Sequence, residues 1–341
     1  MKRMLRTYGW ELLLVVLIVL AGIWSSFLSP YFLDPVNLFS SAGFFVIFAL
    51  MAFGLFPIIL QGEIDISLAS TLAVGSVLLG KLSQLGFPLA VALPIVLIIC
   101  GILGAVNGLL VAVVGLPSLA VTLGTMGAYR GIAYLFAGDA GVTTIPPAYV
   151  SLGSSWIGIV PMTVVLAIVV GIVFAVLTTS TRFGRNSYAI GNSASASRLA
   201  GVSVAATRVG AYALAGVASG LAGYVWLAQY QSARGDNADG SILFVITAVV
   251  LGGVSIKGGS GRALGVALAI LLLGTIQTGM KLANIPGTSQ TLVIGALLVG
   301  SIGIPRIVQI VRGRIAAPRP APKIDVDVSR EEATQESKRT A

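Results

Sequence analysis

Thr181-Arg182-Phe183-Gly184-Arg185-Asn186-Ser187-Tyr188-Ala189-Ile190-Gly191-Asn192 opens a basic segment that continues through Arg198-Leu199-Ala200-Gly201 to Arg208. It carries four arginines and no acid, and long apolar runs stand on either side of it. Hydrocarbon offers no partners to charge or to free backbone groups, so such a segment lies at the cytoplasmic face of a membrane bundle. Ser193 to Leu199 is long enough for about two turns of a short surface helix. That makes the segment a docking surface for a soluble partner. The competing reading is a solvated connector that only sets orientation.

Working outward, the 341 residues are 56% hydrophobic and only 10% charged, with a mean hydropathy of +0.98. Soluble domains carry roughly 25% charged residues, so the composition is that of an integral membrane protein. The net charge of +9 does not indicate nucleic acid, because eight of the 21 basic residues lie beyond Gly303. Juxtamembrane clusters of this kind fix topology and touch anionic lipid. Cys100 is alone and forms no internal disulfide, and the absence of His excludes a Ser-His-Asp triad or a His-ligated metal. No catalytic residue, metal site or cofactor is expected. The apolar run that follows Met1-Lys2-Arg3 lacks a small-residue cleavage site and reads as a retained first span.

Ten hydrophobic spans are expected: 10–28, 42–60, 66–82, 87–113, 116–137, 161–179, 208–229, 241–255, 263–281 and 290–311. The fold class is an all-α polytopic bundle with both termini cytoplasmic. Its transmembrane domain covers 1–317, including the basic loop at about 181–208, and a disordered cytoplasmic tail covers 318–341. With the N-terminus inside, 17 of the 21 Lys and Arg fall in cytoplasmic segments; Lys81, Arg234 and Lys281 fall outside and Arg130 within a span. The eighth span is short for a bilayer of about 30 Å, so it is tilted, broken or partly inserted. Glycine pairs at small-xxx-small spacing (104/108, 127/131, 216/220 and 261/265) let helix backbones approach closely in lipid.

Gln61-Gly62-Glu63-Ile64-Asp65-Ile66-Ser67 stands between the second and third spans, where two carboxylates are costly unless solvated or paired. The segment either exposes backbone and carboxylates to a pathway or gate, or lets Asp65 or Ser67 cap the third span. Arg130 lies within the fifth span near Thr122, Thr125 and Tyr129; it serves the pathway or pairs a carbonyl or carboxylate structurally. Asn107 reads as an interhelical hydrogen bond or as pathway lining. The Gly75–Leu82 stretch has the spacing of a phosphate loop but lacks its Ser or Thr and falls inside a span. Gly252 to Gly261 reads as a tight re-entrant turn, so the chain has no visible ATP site of its own.

These residues together resemble the permeases of ribose-type sugar ATP-binding-cassette importers. The resemblance rests on Gly62 through Ser67, Asn107-Gly108, Thr122 to Thr125 with Arg130-Gly131, and Phe183-Gly184-Arg185 through Ala189-Ile190-Gly191 to Gly201. It extends to Ala248 through Gly253 and to Gly258-Gly259-Ser260-Gly261, and covers roughly residues 40 to 305. Members of this branch serve ribose, xylose, galactose, arabinose, rhamnose or autoinducer-2, and Ser232-Ala233-Arg234 with Asp236 leans toward the last two. Two positions depart from the family pattern: Glu63 replaces a usual second glycine, and Ser195 stands where an acid is frequent.

The resemblance implies a coupling helix within 181–201, with Arg185, Asn192, Arg198, Leu199 and Gly201 against a cytoplasmic ATPase. It also implies a second permease, identical or paralogous, and a periplasmic sugar-binding protein, in a bacterial inner membrane. Gln61, Glu63, Asp65, Asn107, Thr122, Thr125 and Arg130 are the pathway or gate candidates. The alternative function is an ion-coupled secondary transporter, which needs mid-membrane acids or His; only Glu63 and Asp65 are eligible. A third, an intramembrane enzyme, lacks a nucleophile–base pair.

Overall fold

The computed structural model describes residues 2–315. Its helices are α1 (Lys2–Leu28), α2 (Pro35–Leu60), α3 (Leu68–Gln84), α4 (Leu89–Ala112), α5 (Ser118–Ala137), α6 (Pro147–Ser154) and α7 (Met162–Ser180). There follow α8 (Arg182–Asn192), α9 (Ala194–Leu199), α10 (Val204–Tyr230), α11 (Ile242–Leu251), α12 (Ala263–Leu282) and α13 (Gly287–Ile315). A two-residue hairpin, β1 (Trp156–Ile157) with β2 (Val160–Pro161), separates α6 from α7. The described residues up to Ser301 form one compact unit, and the end of α13 from Ile302 lies outside it. The tail expected to be disordered, 318–341, lies outside the described residues.

The chain is therefore nearly all helical, as composition required. Ten of these helices coincide with the ten apolar stretches read from sequence, and α6, α8 and α9 are short additions. Among the described residues, six helices are long and apolar enough to cross a membrane: Tyr8–Leu28 within α1, then α2, α4, α7, α10 and α12. The short eighth stretch is a ten-residue helix, α11, followed by a folded loop.

Burial sorts the helices. In α2 every residue from Ala49 to Leu60 is buried, as expected for a helix that is apolar on all sides. Its start is set locally: Asp34 Oδ1 accepts from the Val36 and Asn37 N–H groups, and Pro35 occupies the first turn, where its missing N–H costs nothing. Against α2 packs α10, with Gly54 opposite Ala215 and Ala218; a Cβ at Gly54 would lie 2.9 Å from that of Ala218. The other face of α10 meets α4 glycine to backbone. Gly104 lies under the Tyr212 carbonyl, Gly108 under Val209, and Gly216 under the Cys100 carbonyl. The 104/108 and 216/220 pairs thus share one interface, whereas Gly127 and Gly131 on α5 face open space.

Outer helices present apolar side chains away from this core. Phe27 is 86% exposed and Ile98 is 62% exposed, and Ile168, Ile172 and Val176 line the bare face of α7. An apolar surface of this extent suits hydrocarbon rather than water. A cavity of about 710 Å³ between α2, α7 and α12 has Phe45, Phe53, Gly171, Ile270 and Gly274 among its walls. Thr275 and Thr278 are its only polar side chains among the described residues, so it cannot offer a polar solute the partners that dehydration demands.

Candidate functional site

The site begins where α2 stops. Gly62 takes φ +78° and its N–H returns to the Ile59 carbonyl at 2.9 Å, while the Glu63 N–H returns to Ile58 at 3.2 Å. This is a glycine-terminated helix end of Schellman type, which satisfies carbonyls that α2 would leave orphaned. The left-handed position belongs to Gly62, and Glu63 is outside it. An acid in place of a second glycine therefore leaves the turn intact and instead delivers a carboxylate to α10. There Glu63 Oε1 lies 2.7 Å from Arg208 Nη2, with the two side chains 16% and 20% exposed.

Two residues on, Asp65 is 1% exposed. Its Oδ1 accepts from the Ser67 N–H at 2.8 Å and from the Ser67 hydroxyl at 2.7 Å. Ser67 in turn accepts from Asn107 Nδ2 at 2.9 Å, and Asn107 Oδ1 accepts from Tyr129 at 3.2 Å. One chain of hydrogen bonds thus links the turn, α4 and α5. Asp65 Oδ2 is buried with no partner among the described residues. Asp65 braces the first residues of α3 from outside the helix, and Ser67 at the cap position makes no side-chain cap bond. Ser118 at the start of α5 accepts from the Ile64 N–H at 3.3 Å. Thr122 and Thr125 bond to carbonyls of their own helix, Ser118 and Val121, and present no hydroxyl proton to a cavity.

Arg130 is apart from this cluster. From α5 its Nη1 donates to the carbonyls of Gly235 at 2.7 Å and Asn237 at 2.8 Å, and Asp239 is 3.8 Å away. Asn237 is held from below by Ser76 of α3 at 3.0 Å, and Ala233 is bridged to Val142 by two backbone bonds. The 231–241 loop is therefore pinned on three sides. Beside it a cleft of about 210 Å³ is lined by Tyr134, Asp139, Arg234 and Asp236. Arg234 chelates Asp236 at 2.9 and 3.2 Å, and these hydrogen bonds hold the Asp236 carboxyl below its ordinary range.

The basic segment folds into α8 and α9. Thr181 caps α8 by accepting from the Gly184 N–H, and Ser193 caps α9 by accepting from that of Ala196. Arg185, Asn192, Arg198, Leu199 and Gly201 are all exposed or half-exposed around this pair, and Leu199 reaches 92%. Gly201 at φ +81° turns the chain into α10. On the inner side, Gln61 Nε2 donates to Ser187 Oγ at 3.1 Å and Tyr188 donates to the Gly261 carbonyl at 2.7 Å. The Gly252–Gly261 stretch folds back on itself through Ser255 and Ser260, and its Gly259 N–H donates to the Leu60 carbonyl at 2.9 Å. No phosphate cradle forms at Gly75–Leu82, which is continuous helix in α3.

The structure thus brings Gln61, Glu63, Asp65 and Asn107 into one junction and leaves Thr122, Thr125 and Arg130 outside it. It adds Arg208, Ser187, Ser67 and Tyr129, which sequence reading does not assign to the site. Tyr129 carries a signal, being close to polar side chains on an apolar span; the partners across the bundle carry none.

A polytopic helical membrane protein with a polar junction below its buried helices and an exposed basic helix pair defines a transport subunit. Residues 37–302 match the family described as branched-chain amino acid transport system / permease component, and the chain belongs to that family. The autoinducer 2 import system permease LsrD of Photorhabdus laumondii is 35% identical over 86% of this chain and 90% of its own length. The LsrD proteins of Yersinia enterocolitica and Salmonella typhimurium are each 36% identical over 86% of this chain, and over 91% and 90% of their own lengths. No solved structure matches the chain. It is a multi-pass membrane permease.

Proposed function

We propose that the chain forms the solute pathway of an ATP-binding-cassette importer in a bacterial inner membrane. In this reading α8 and α9 face the cytoplasm, as do both termini, and ten helices lie at membrane depth. The observation that carries it is Leu199, a large apolar side chain 92% exposed on a capped surface helix between Arg198 and the Gly201 turn. An exposed apolar anchor beside a basic residue fits a groove on a soluble ATPase with acids at its rim. A second permease and a periplasmic binding protein complete the importer. The solute is a small, polar, sugar-like molecule of the ribose, rhamnose, xylose or autoinducer-2 class, supported by the naming of relatives as autoinducer 2 import permeases.

The test is reconstitution of the chain with its neighbouring ATPase, second permease and binding protein in liposomes, followed by uptake of these solutes. ATP-dependent uptake of one of them is the expected result. Uptake that survives without ATP but collapses with the ion gradient would overturn the reading in favour of an ion-coupled carrier. Asp65, buried with an unpartnered oxygen among the described residues, is the observation favouring that second reading.

A further inference from the structure

Two side-chain links join the α8–α10 segment to the 61–67 turn. Ser187 on α8 takes the hydrogen bond from Gln61, and Arg208 on the second turn of α10 takes Glu63 as its ion-pair partner. The turn then hands over to Asp65, Ser67, Asn107 and Tyr129, and so to α4 and α5. Gln61 Oε1, Asp65 Oδ2 and Arg208 Nε are all buried at this junction with no partner among the described residues. Buried polar atoms left unpaired are uncommon, and a junction that gathers three of them is a polar seam in an otherwise apolar bundle.

We propose that the Glu63–Arg208 pair is a positioning element that ties α10, the helix entered directly from the α8–α9 pair, to the 61–67 turn, so that movement of that pair reaches the turn. It thereby sets how much solute crosses for each ATP hydrolysed. The inference rests on the importer reading above. The pair does not touch solute; it acts through the backbone of the turn, because Gly62 and Glu63 are locked to Ile59 and Ile58 while Ile64 is locked to Ser118 of α5. A charge on the first part of α10 therefore pulls on the start of α3 and α5 together. Gln61 and Ser187 alone make a neutral bond, about half as strong as a charge-assisted one.

The measurement is uptake per ATP hydrolysed by the full importer in liposomes, normalised to assembled complex. Glu63→Gln and Arg208→Gln are each expected to lower that ratio about fivefold or more, with hydrolysis continuing, and the two together no further than either alone. The exchanged pair Glu63→Arg with Arg208→Glu is expected to recover most of it. A wild-type ratio in either single variant overturns the proposal, and so does a lowered ratio that the exchanged pair fails to raise. If the single variants do not assemble, the exchanged pair alone decides, recovery of uptake supporting the link and its absence overturning it. A wild-type complex without ATP-dependent uptake would instead sink the importer reading, which separates the two failures.

Discussion

Arg130 shows how one side chain organises a loop. Its guanidinium is spent on two carbonyls, those of Gly235 and Asn237. A planar fork holds two such acceptors at once, whereas a lysine offers a point charge. Arg130→Ala is expected to destabilise the 231–241 loop by about 2 kcal/mol, the scale of losing hydrogen bonds to a charged group. Limited proteolysis of the purified chain should then cut within 231–241 well before wild type, and Arg130→Lys should fall between. Unchanged cleavage would show that the Val142–Ala233 bridge and Asn237–Ser76 hold the loop by themselves. Asn107 plays a comparable part between helices, since it accepts from Tyr129 and donates to Ser67. Asn107→Leu removes both bonds while the Tyr129 hydroxyl keeps the Leu103 carbonyl and the Ser67 hydroxyl keeps Asp65, so the loss is that of two made hydrogen bonds, about 1–3 kcal/mol together. A lower melting temperature in detergent is the expected readout.

At the level of elements, two helix surfaces make opposite predictions for the same change. On α4, a side chain at Gly104 has no room, because the Tyr212 carbonyl of α10 fills the space. Gly104→Leu is expected to lower the stability of the isolated chain by at least about 1–3 kcal/mol, the cost of forcing volume into a packed interface. On α5, a Cβ at Gly127 would meet nothing within 4 Å, so Gly127→Leu should leave the melting temperature of the isolated chain unchanged. The helix pair α8–α9 predicts a binding phenotype. Under the proposed importer reading, Leu199→Asp should release the ATPase from the membrane and abolish uptake while the chain still inserts, since buried interface anchors are commonly worth about 2 kcal/mol or more. Arg198→Ala should weaken co-purification less and make it more sensitive to salt. Retained ATPase and intact uptake in Leu199→Asp would reduce the segment to a connector.

For the whole molecule, the charge distribution and the helix order make one joint prediction about topology. With 17 of 21 basic residues in segments assigned to the inside, a reporter fused after Ser329 should read cytoplasmic and one near Val150 should read periplasmic. Signals from the same side would break the ten-span count, which six long apolar helices alone do not fix. The large apolar cavity between α2, α7 and α12 belongs to this scale as well. Its walls suit acyl chains rather than a polar solute.

The sequence alone determined the membrane class, the positions of the apolar helices and the basic segment between them. Hydropathy and charge are properties of local composition, and a bilayer sorts residues by those properties without regard to distant neighbours. The short helix at 194–199 was legible for a similar reason: Ser193 caps it from one residue away. Partnership across the bundle was not legible. Gln61 and Ser187 are 126 residues apart, and nothing in the composition of either stretch points to the other. The role of Glu63 was not legible either, because only the backbone angles assign the left-handed position to Gly62 and free the carboxylate for Arg208. For Arg130 the sequence left pathway service and structural pairing both open, and only the fold put two carbonyls against it. Helix packing decided these points, because a charge in a low-dielectric bundle is defined by the groups that surround it, and those come from every part of the chain.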